Sequence, residues 1–392
     1  MKRLSIVTAT RAEYFLLAPI IKKLSARPEL DVRVCATGAH LSPEFGLTVR
    51  NIEADGIPVD KKIEILLSAD TPSAITKTMG MAMISFADYF EQLRPDALMV
   101  LGDRYELLSV CCAAMNARIP IIHLYGGETT EGAVDEAVRH AITKLSCLHF
   151  TANETYAKRV VQMGESPDRV HIVGAMGPEN AIHMEKMTKA ELERSLGVKL
   201  GKKYAVLTFH PVTLENSTAE AQAGELIEAM AAFPDISFVC TKANDDAEVR
   251  IINTLLEKYA AGRDNVYLFD SLGSKRYLSA VQGAEFVVGN SSSGLSEVPS
   301  LGIPTVNIGD RQKGRLRGPS VIDCEPDAVS IRNAIKKAMT PEFREIAAQR
   351  INPYGDGNAS SRIAEITSAA LTYDSLFVKK RFYDIDFTIP NP

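Results

Sequence analysis

The chain has 392 residues, about two to three times the usual length of one domain. Its 46% hydrophobic and 24% charged residues are the balance of a soluble globular protein. A net charge of −5 and a pI near 5.9 argue against nucleic acid or an anionic membrane surface as the main partner, and leave room for a local basic pocket.

The opening "MKRLSIVTATRAEY" is basic, but its apolar run is too short for a signal peptide and gives way at once to polar residues. No run of about 18 apolar residues follows, so no membrane span is expected. The cysteines at 35, 111, 112, 147, 240 and 324 form no C-x-x-C pair and sit mostly in apolar segments. They read as reduced, buried thiols of a cytoplasmic protein.

In chain order, short β-branched apolar runs predict strands over Leu4–Thr8, Val32–Ala36, Ala97–Leu101, Ile119–His123, Leu148–Thr151 and His171–Val173. The second half repeats the rhythm at Tyr204–Thr208, Ile236–Cys240, Val266–Phe269, Phe286–Val288, Thr305–Ile308 and Val321–Asp323. Amphipathic stretches such as Ala18–Leu24 and Ala247–Tyr259 lie between them. This alternation implies α/β architecture with parallel sheets covered on both faces. Twelve strands are too many for one compact doubly wound domain. The composition softens between Gly174 and Lys203, which places the hinge there. The expected division is residues 1–175, a second domain over 176–355, and a terminal helix and tail over 356–392 that crosses back to the first domain.

The chemically distinctive residues follow the strands. Arg11 and Glu13 come after the first and "GDR" (Gly102–Arg104) after the third; "HLYGGE" (His123–Glu128) spans the end of the fourth. In the second half His210 follows one strand and "NSSSG" (Asn290–Gly294) another. Ligands of open parallel sheets bind at the carboxyl ends of strands. A strand, four small polar residues and a helix containing Glu297 suit an anion, because helix N-terminal N–H groups and hydroxyls donate together. One cap needs one such residue, not four. Arg311 and Arg315 follow the next strand, and guanidinium forks fit phosphate oxygens. Asp103, Glu128 and Asp135 end adjacent elements; carboxylates gathered in one cleft raise one another's pKa and suit proton transfer. Asp135 and Arg139 lie four apart on one helix face, the spacing of an ion pair. No two histidines have metal-site spacing with a carboxylate or thiolate. With neither G-x-x-x-x-G-K-[ST] nor G-x-G-x-x-G after the first strand, no metal and no cofactor is expected.

"TATRAEY", "GAHLSPEFG", "VLGDRYE", "HLYGGE…DEAVRHAITKLSCLHF", "TFHPVT" and "VVGNSSSGLSEVPSLGIPTVNIGDRQKGR" together resemble the hydrolysing UDP-N-acetylglucosamine 2-epimerases of the sialic-acid pathway. The resemblance runs from about residue 3 to 325, and "NPYGDGNAS" (Asn352–Ser360) resembles a segment of the wider family. It implies a glycosyltransferase-B-like fold: two Rossmann-like domains facing each other across a cleft that holds the nucleotide sugar. It further implies UDP-N-acetylglucosamine as substrate, UDP and free N-acetylmannosamine as products, a 2-acetamidoglucal intermediate and a homodimer. Carried over residue by residue, Asp103, Glu128 and Asp135 match the acid/base carboxylates, with His210 in the catalytic set. Arg139 and His210 match positions near the sugar and diphosphate, and Arg11 the first-loop arginine. Ser291, Ser292 and Glu297 match nucleotide and ribose contacts, and Ser293 and Arg311 join the substrate-binding set. Glu128 is the first choice as C2 base, because Gly126 and Gly127 let the sugar approach closely. Asp135 is expected to be tied to Arg139.

One departure concerns Asn244-Asp245-Asp246-Ala247, where family members often carry an N-x-D-x-G-like turn and this chain has no glycine. The same chemistry on UDP-2,4-diacetamido-2,4,6-trideoxyglucose, as in the legionaminic-acid pathway, is the alternative substrate. A retaining glycosyltransferase of the same fold would use the serine–arginine corner but has no need of a C2 base. A non-catalytic sugar-nucleotide sensor would bind without turnover.

Overall fold

The computed structural model describes residues 1–67, 69, 71–129, 134–211, 218–242, 247–376 and 379–388, with the backbone only at 247–249. The turn at 244–246 thus lies outside the described residues. The chain divides into two compact units, Met1–Met176 with Asn358–Pro392, and Gly177–Gly357.

In the first unit, hydrophobic alternation on both faces builds one parallel sheet from β1 (Lys2–Thr8), β2 (Leu30–Thr37), β3 (Val59–Ile63), β4 (Ala97–Leu101), β5 (Ile121–Leu124), β6 (Leu148–Thr151) and β7 (Val170–Ile172). The spatial order is β3-β2-β1-β4-β5-β6-β7, and every pair is parallel. Leu4 and Ile6 of β1 and Ala97 and Met99 of β4 join one core, capped by helices Arg11–Ser25 and Ala359–Thr372. Val7, Leu98 and Val100 face the other way, against helices Pro72–Leu93 and Tyr105–Asn116. Burial on both faces explains why these strands read as continuous apolar runs.

The second unit repeats the plan with β8 (Lys203–Thr208), β9 (Ile236–Thr241), β10 (Val266–Phe269), β11 (Val287–Gly289), β12 (Thr305–Ile308) and β13 (Val321–Cys324), in the order β10-β9-β8-β11-β12-β13. Ala205, Leu207, Phe238 and Val288 enter one core, and Tyr204, Val206, Val239 and Val287 the other. Both units are therefore α/β with helices on both faces of a parallel sheet.

All twelve predicted strands are present, with ends displaced by at most two residues. The thirteenth, β3, was not predicted. It is an edge strand whose Asp60, Lys61 and Lys62 are exposed, so it lacks an apolar run; such charges protect sheet edges from further pairing. The six cysteines are free thiols, four of them buried. Among the described residues no helix is long and apolar enough to cross a membrane.

In the second sheet β11 passes close beside β8 at Gly289, which faces Thr208. Its φ is +135°, and a Cβ there would stand 1.9 Å from the Thr208 carbonyl oxygen. Gly289→Ala is expected to lose on the order of 4 kcal/mol, at the severe end for single substitutions. Thermal denaturation of the purified variant checks this, and a near-native Tm would show that the strands can part.

Candidate active site

In each sheet the chain winds outward in opposite directions from a central pair, β1/β4 in the first unit and β8/β11 in the second. The carboxyl ends of such a pair leave a crevice where ligands bind. Most of the residues singled out from the sequence fall at these two ends.

In the first unit the organising group is the Arg139 guanidinium, 3% exposed, on helix Val134–Leu145. It ion-pairs with Asp103 beyond β4, donates to Glu136 Oε2 at 3.1 Å, and donates to the backbone carbonyl of Glu128 at 2.9 Å. The expected Asp135–Arg139 pair does not form; the i, i+3 neighbour Glu136 takes the arginine instead. Asp135 is exposed as a residue, yet its carboxyl lies within electrostatic reach of Asp103, Arg139, Arg104 and Glu106. Loss of water around the carboxyl, and next the Asp103 charge, raise its pKa above the ordinary aspartate value.

Glu128 is buried. The glycines before it serve packing more than ligand approach: Gly127 has φ +79°, and a Cβ on it would lie 2.2 Å from the Tyr156 carbonyl oxygen. His123 in β5 ties this corner together. Its Nε2 donates to the Gly102 carbonyl at 2.8 Å, which leaves Nδ1 as an acceptor 3.2 Å from the Thr143 hydroxyl. Burial pushes its pKa down to about 3, so the ring is neutral and holds the turn that carries Asp103.

A second carboxylate group lies at the same corner. Arg11 opens the helix after β1 and is exposed, while Glu13 two residues on is buried. Glu13 Oε2 accepts from the backbone N–H groups of Ala9 and Thr10, each at 3.0 Å, closing a capping box with Thr10. Glu106 Oε1 accepts from Arg104 Nε at 2.5 Å. Among the described residues, Glu13 Oε1 and Glu106 Oε2 are buried without partners. Burial, then the Glu106 charge, push Glu13 up to about 8.

In the second unit Asn290 clamps the two central strands. Its Oδ1 accepts from the His210 N–H at 2.8 Å and its Nδ2 donates to the His210 carbonyl at 2.7 Å. The Asn290 carbonyl in turn accepts from Arg311 at 3.1 Å and Gln312 at 2.9 Å. Burial, then Arg311, push the His210 imidazole down to about 4. Desolvation and the neighbouring Arg315 lower Arg311, and among the described residues no carboxylate pairs with it. Two cations held near each other beside small hydroxyls suit an anion.

The helix expected after "NSSSG" is a single α-turn, Ser293–Ser296, continued by the 3-10 turn Val298–Leu301. Pro299 and Gly302 prevent a longer helix, so no substantial helix dipole acts at this corner. Ser293 donates its hydroxyl proton to Glu297 and accepts from Tyr277 at 2.9 Å. Ser291 Oγ accepts from the Ser293 N–H at 3.4 Å, and the Ser292 carbonyl accepts from Ser296 Oγ at 3.0 Å. Burial raises Glu297. Among the described residues no group of three His, Cys, Asp or Glu side chains could hold a metal ion.

The model of the UDP-N-acetylglucosamine 2-epimerase family matches residues 22–368. The chain belongs to this family. It is 41% identical to the GDP/UDP-N,N'-diacetylbacillosamine 2-epimerase (hydrolyzing) of Campylobacter jejuni, over 88% of this chain and 89% of that one. It is 38% identical to the polysialic acid biosynthesis protein P7 of Escherichia coli, over 100% of this chain and 98% of that one. The crystal structure of UDP-GlcNAc 2-epimerase from Neisseria meningitidis bound to UDP-GlcNAc superposes with a TM-score of 0.78 at 22% identity, covering 94% of this chain and 99% of that one. The protein is thus an enzyme of the hydrolysing UDP-sugar 2-epimerase type, with the glycosyltransferase-B-like fold of that family.

For this enzyme the structure gathers Asp103, Asp135, Arg139 and the Glu128 backbone in the first unit, and His210, Ser291, Ser292 and Arg311 at the matching edge of the second. Sequence reasoning missed Glu106, Glu136, Tyr277 and Gln312, and it singled out Arg104 and Glu13 after their strands without giving either a role. The T-x-x-E spacing of Thr10 and Glu13 was a legible signal for a capping box, and the i, i+3 spacing of Glu136 and Arg139 for an ion pair. Nothing in the sequence marks Glu106 or Tyr277.

Glu13 titrates near 4.5 when unfolded and near 8 when folded. Between those values the folded state holds a proton that the unfolded chain has released. This contribution is therefore complete below the lower value and lost as pH rises through the upper one. Glu13→Gln, which keeps the neutral shape, is expected to flatten the fall in Tm between about pH 5 and pH 8 relative to the unsubstituted enzyme. Parallel Tm profiles for the two proteins would mean that Glu13 is ionised throughout.

Proposed function

We propose that the enzyme hydrolyses a UDP-linked 2-acetamido sugar with inversion at C2, through a 2-acetamidoglucal. A base takes the C2 proton, its electron pair becomes the C1=C2 bond, and the C1–O bond breaks to release UDP. Water then adds its oxygen at C1, and C2 receives a proton on the opposite face. The observation that carries this reading is the carboxylate-rich corner around Arg139, with Asp103, Asp135 and the buried Glu128. Removing and returning a carbon-bound proton needs two positioned groups, and a transferase needs neither.

Glu128 acts as C2 base in this proposal and Asp135, raised beside Asp103, as the proton donor. Asp103 and Arg139 fix the geometry. The neutral His210, with Ser291, Ser292, Arg311 and Arg11, meets the departing diphosphate, whose developing charge such donors stabilise. Glu297 contacts the nucleoside, held in place by Ser293 and Tyr277. No cofactor or metal is required. A homodimer and a cytoplasmic location, both expected from the sequence, belong to the same proposal.

The sugar is the finer question. The name of the Campylobacter relative supports the 2,4-diacetamido-2,4,6-trideoxy sugar, while that of the more distant Neisseria structure supports UDP-N-acetylglucosamine. We place the diacetamido sugar first, reversing the order expected from the motifs, because identity to the former is far higher. A pocket built for the extra amide would be left with an unmet polar group by UDP-N-acetylglucosamine, worth about 1–3 kcal/mol, or roughly 10- to 100-fold in kcat/KM. Side-by-side kcat/KM values on the two nucleotides check this order, and a preference for UDP-N-acetylglucosamine would reverse it.

Turnover in D₂O is expected to leave deuterium at C2 of the released sugar, because the C2 proton exchanges during elimination and return. Glu128→Gln is expected to lower kcat by about 10²- to 10⁴-fold with KM little changed. NMR of the product and steady-state kinetics test both points. A product without solvent deuterium would remove the elimination mechanism and favour simple hydrolysis or glycosyl transfer.

A further inference from the structure

Helix Val134–Leu145 carries Asp135 in its first turn and Arg139 one turn on, at the carboxyl edge of the sheet. Its last turn lies at the amino edge, where a second ionic group is buried. Glu165, between helix Glu154–Gln162 and β7, is 2% exposed. It accepts from Lys144 Nζ at 2.6 Å and from His149 Nε2 at 3.1 Å. Its two oxygens also accept from Lys380 Nζ, at 2.7 and 2.8 Å. Burial raises the Glu165 carboxyl, but these donors outweigh burial and bring its pKa down to about 2, so the group is ionised.

Lys380 comes from the far end of the chain. Its Nζ also donates to the Ser146 carbonyl at 2.7 Å, just past the last turn of the helix. The segment around it is fixed beside Glu165. The Tyr383 N–H donates to the Gly164 carbonyl at 2.9 Å, and the Phe382 ring covers Gly164, which has no room for a side chain. The Lys144 ammonium lies 4.9 Å from the centre of the same ring. On the sheet side, His149 is the register partner of His123, whose Nδ1 stands 3.2 Å from the Thr143 hydroxyl of the helix. The end of the helix is thus gripped at Thr143 by His123, at Lys144 by Glu165 and at Ser146 by Lys380. Apolar packing of the same volume is often as stable as a buried ion network, so stability alone does not account for this one.

We infer that Lys380 is a positioning residue for the reaction: through Glu165 and the Ser146 carbonyl it fixes one end of helix Val134–Leu145, and so the place of Asp135 at the other end. The helix is a stiff rod, and Asp135 stands about 16 Å along it from Ser146. A tilt of about 4° at the gripped end moves Asp135 by about 1 Å, and a misplacement of about 1 Å can cost about 100-fold in rate. Lys380 touches no reacting group, since it lies at the edge of the sheet opposite the site. The inference rests on the proposed role of Asp135 as the donor that returns a proton to C2.

Steady-state kinetics and NMR of the products test it, on the full chain at a temperature where circular dichroism shows each variant folded. Lys380→Met keeps the length of the side chain and removes its charge. It is expected to lower kcat by about 10- to 100-fold with KM within about twofold. It is also expected to release part of the product as the 2-acetamidoglucal, because elimination proceeds while the proton donor is misplaced. Phe382→Ala, at an exposed position, loosens the same segment without removing a charge and is expected to move both readouts the same way by a smaller factor. Lys2→Met breaks the ion pair with Asp374 elsewhere on the terminal segment and is expected to move neither. Asp135→Asn is expected to release the glucal; if it releases none, the role of Asp135 fails and the inference with it. Three other results, with glucal released by Asp135→Asn, overturn the positioning role alone. These are unchanged turnover in both Lys380→Met and Phe382→Ala, a fall in kcat of Lys380→Met with no glucal, and an equal effect of Lys2→Met.

Discussion

The first unit's site is arranged around one buried positive charge. A guanidinium withdrawn from water is tolerated only when its N–H groups are met by acceptors, and the penalty for leaving them unmet is several kcal/mol. Arg139 meets this demand with groups from three places: Asp103 after β4, the Glu128 carbonyl after β5, and Glu136 on its own helix. One cation thus holds Asp103 and the Glu128 backbone, and Asp135 lies on that cation's own helix. The neutral His123 supports the arrangement from behind by gripping the Gly102 carbonyl.

The second unit solves the same topological problem with a neutral residue. Asn290 offers a donor and an acceptor, enough to satisfy both backbone groups of His210 across the central strand pair. Among the described residues no carboxylate is consumed in bracing the strands, and none pairs with Arg311. Under the proposed reaction the two edges divide the work by charge. One supplies groups that exchange a proton with carbon, and the other supplies donors that stabilise a departing diphosphate.

At several of these positions a local rule had a long-range competitor. Four small polar residues in "NSSSG" suggested a row of ligand donors at a helix end. In the fold, Ser293 belongs to Glu297 and Tyr277, and the helix stops after one turn. The Gly126–Gly127 pair suggested room for a sugar, but Gly127 makes room for the Tyr156 backbone. Asp135 and Arg139 have ion-pair spacing, yet Arg139 bonds Asp103, 36 residues away in sequence. A pairing rule over four residues carries no knowledge of a better acceptor delivered by another strand.

The sequence by itself determined the two parallel sheets and which loops carry chemistry. Strands buried on both faces must be apolar throughout, and residues just beyond their carboxyl ends have one edge of the sheet open to them. It also carried the family, through motifs that follow those strands in order. Tertiary structure alone decided the charge states and partners within the site: Glu13 as a neutral acid beside Glu106, Asp135 raised by Asp103, and Arg139 shared among three elements. Those properties depend on desolvation and on distances between groups far apart in the chain, and neither exists until the sheet brings the ends of its strands together.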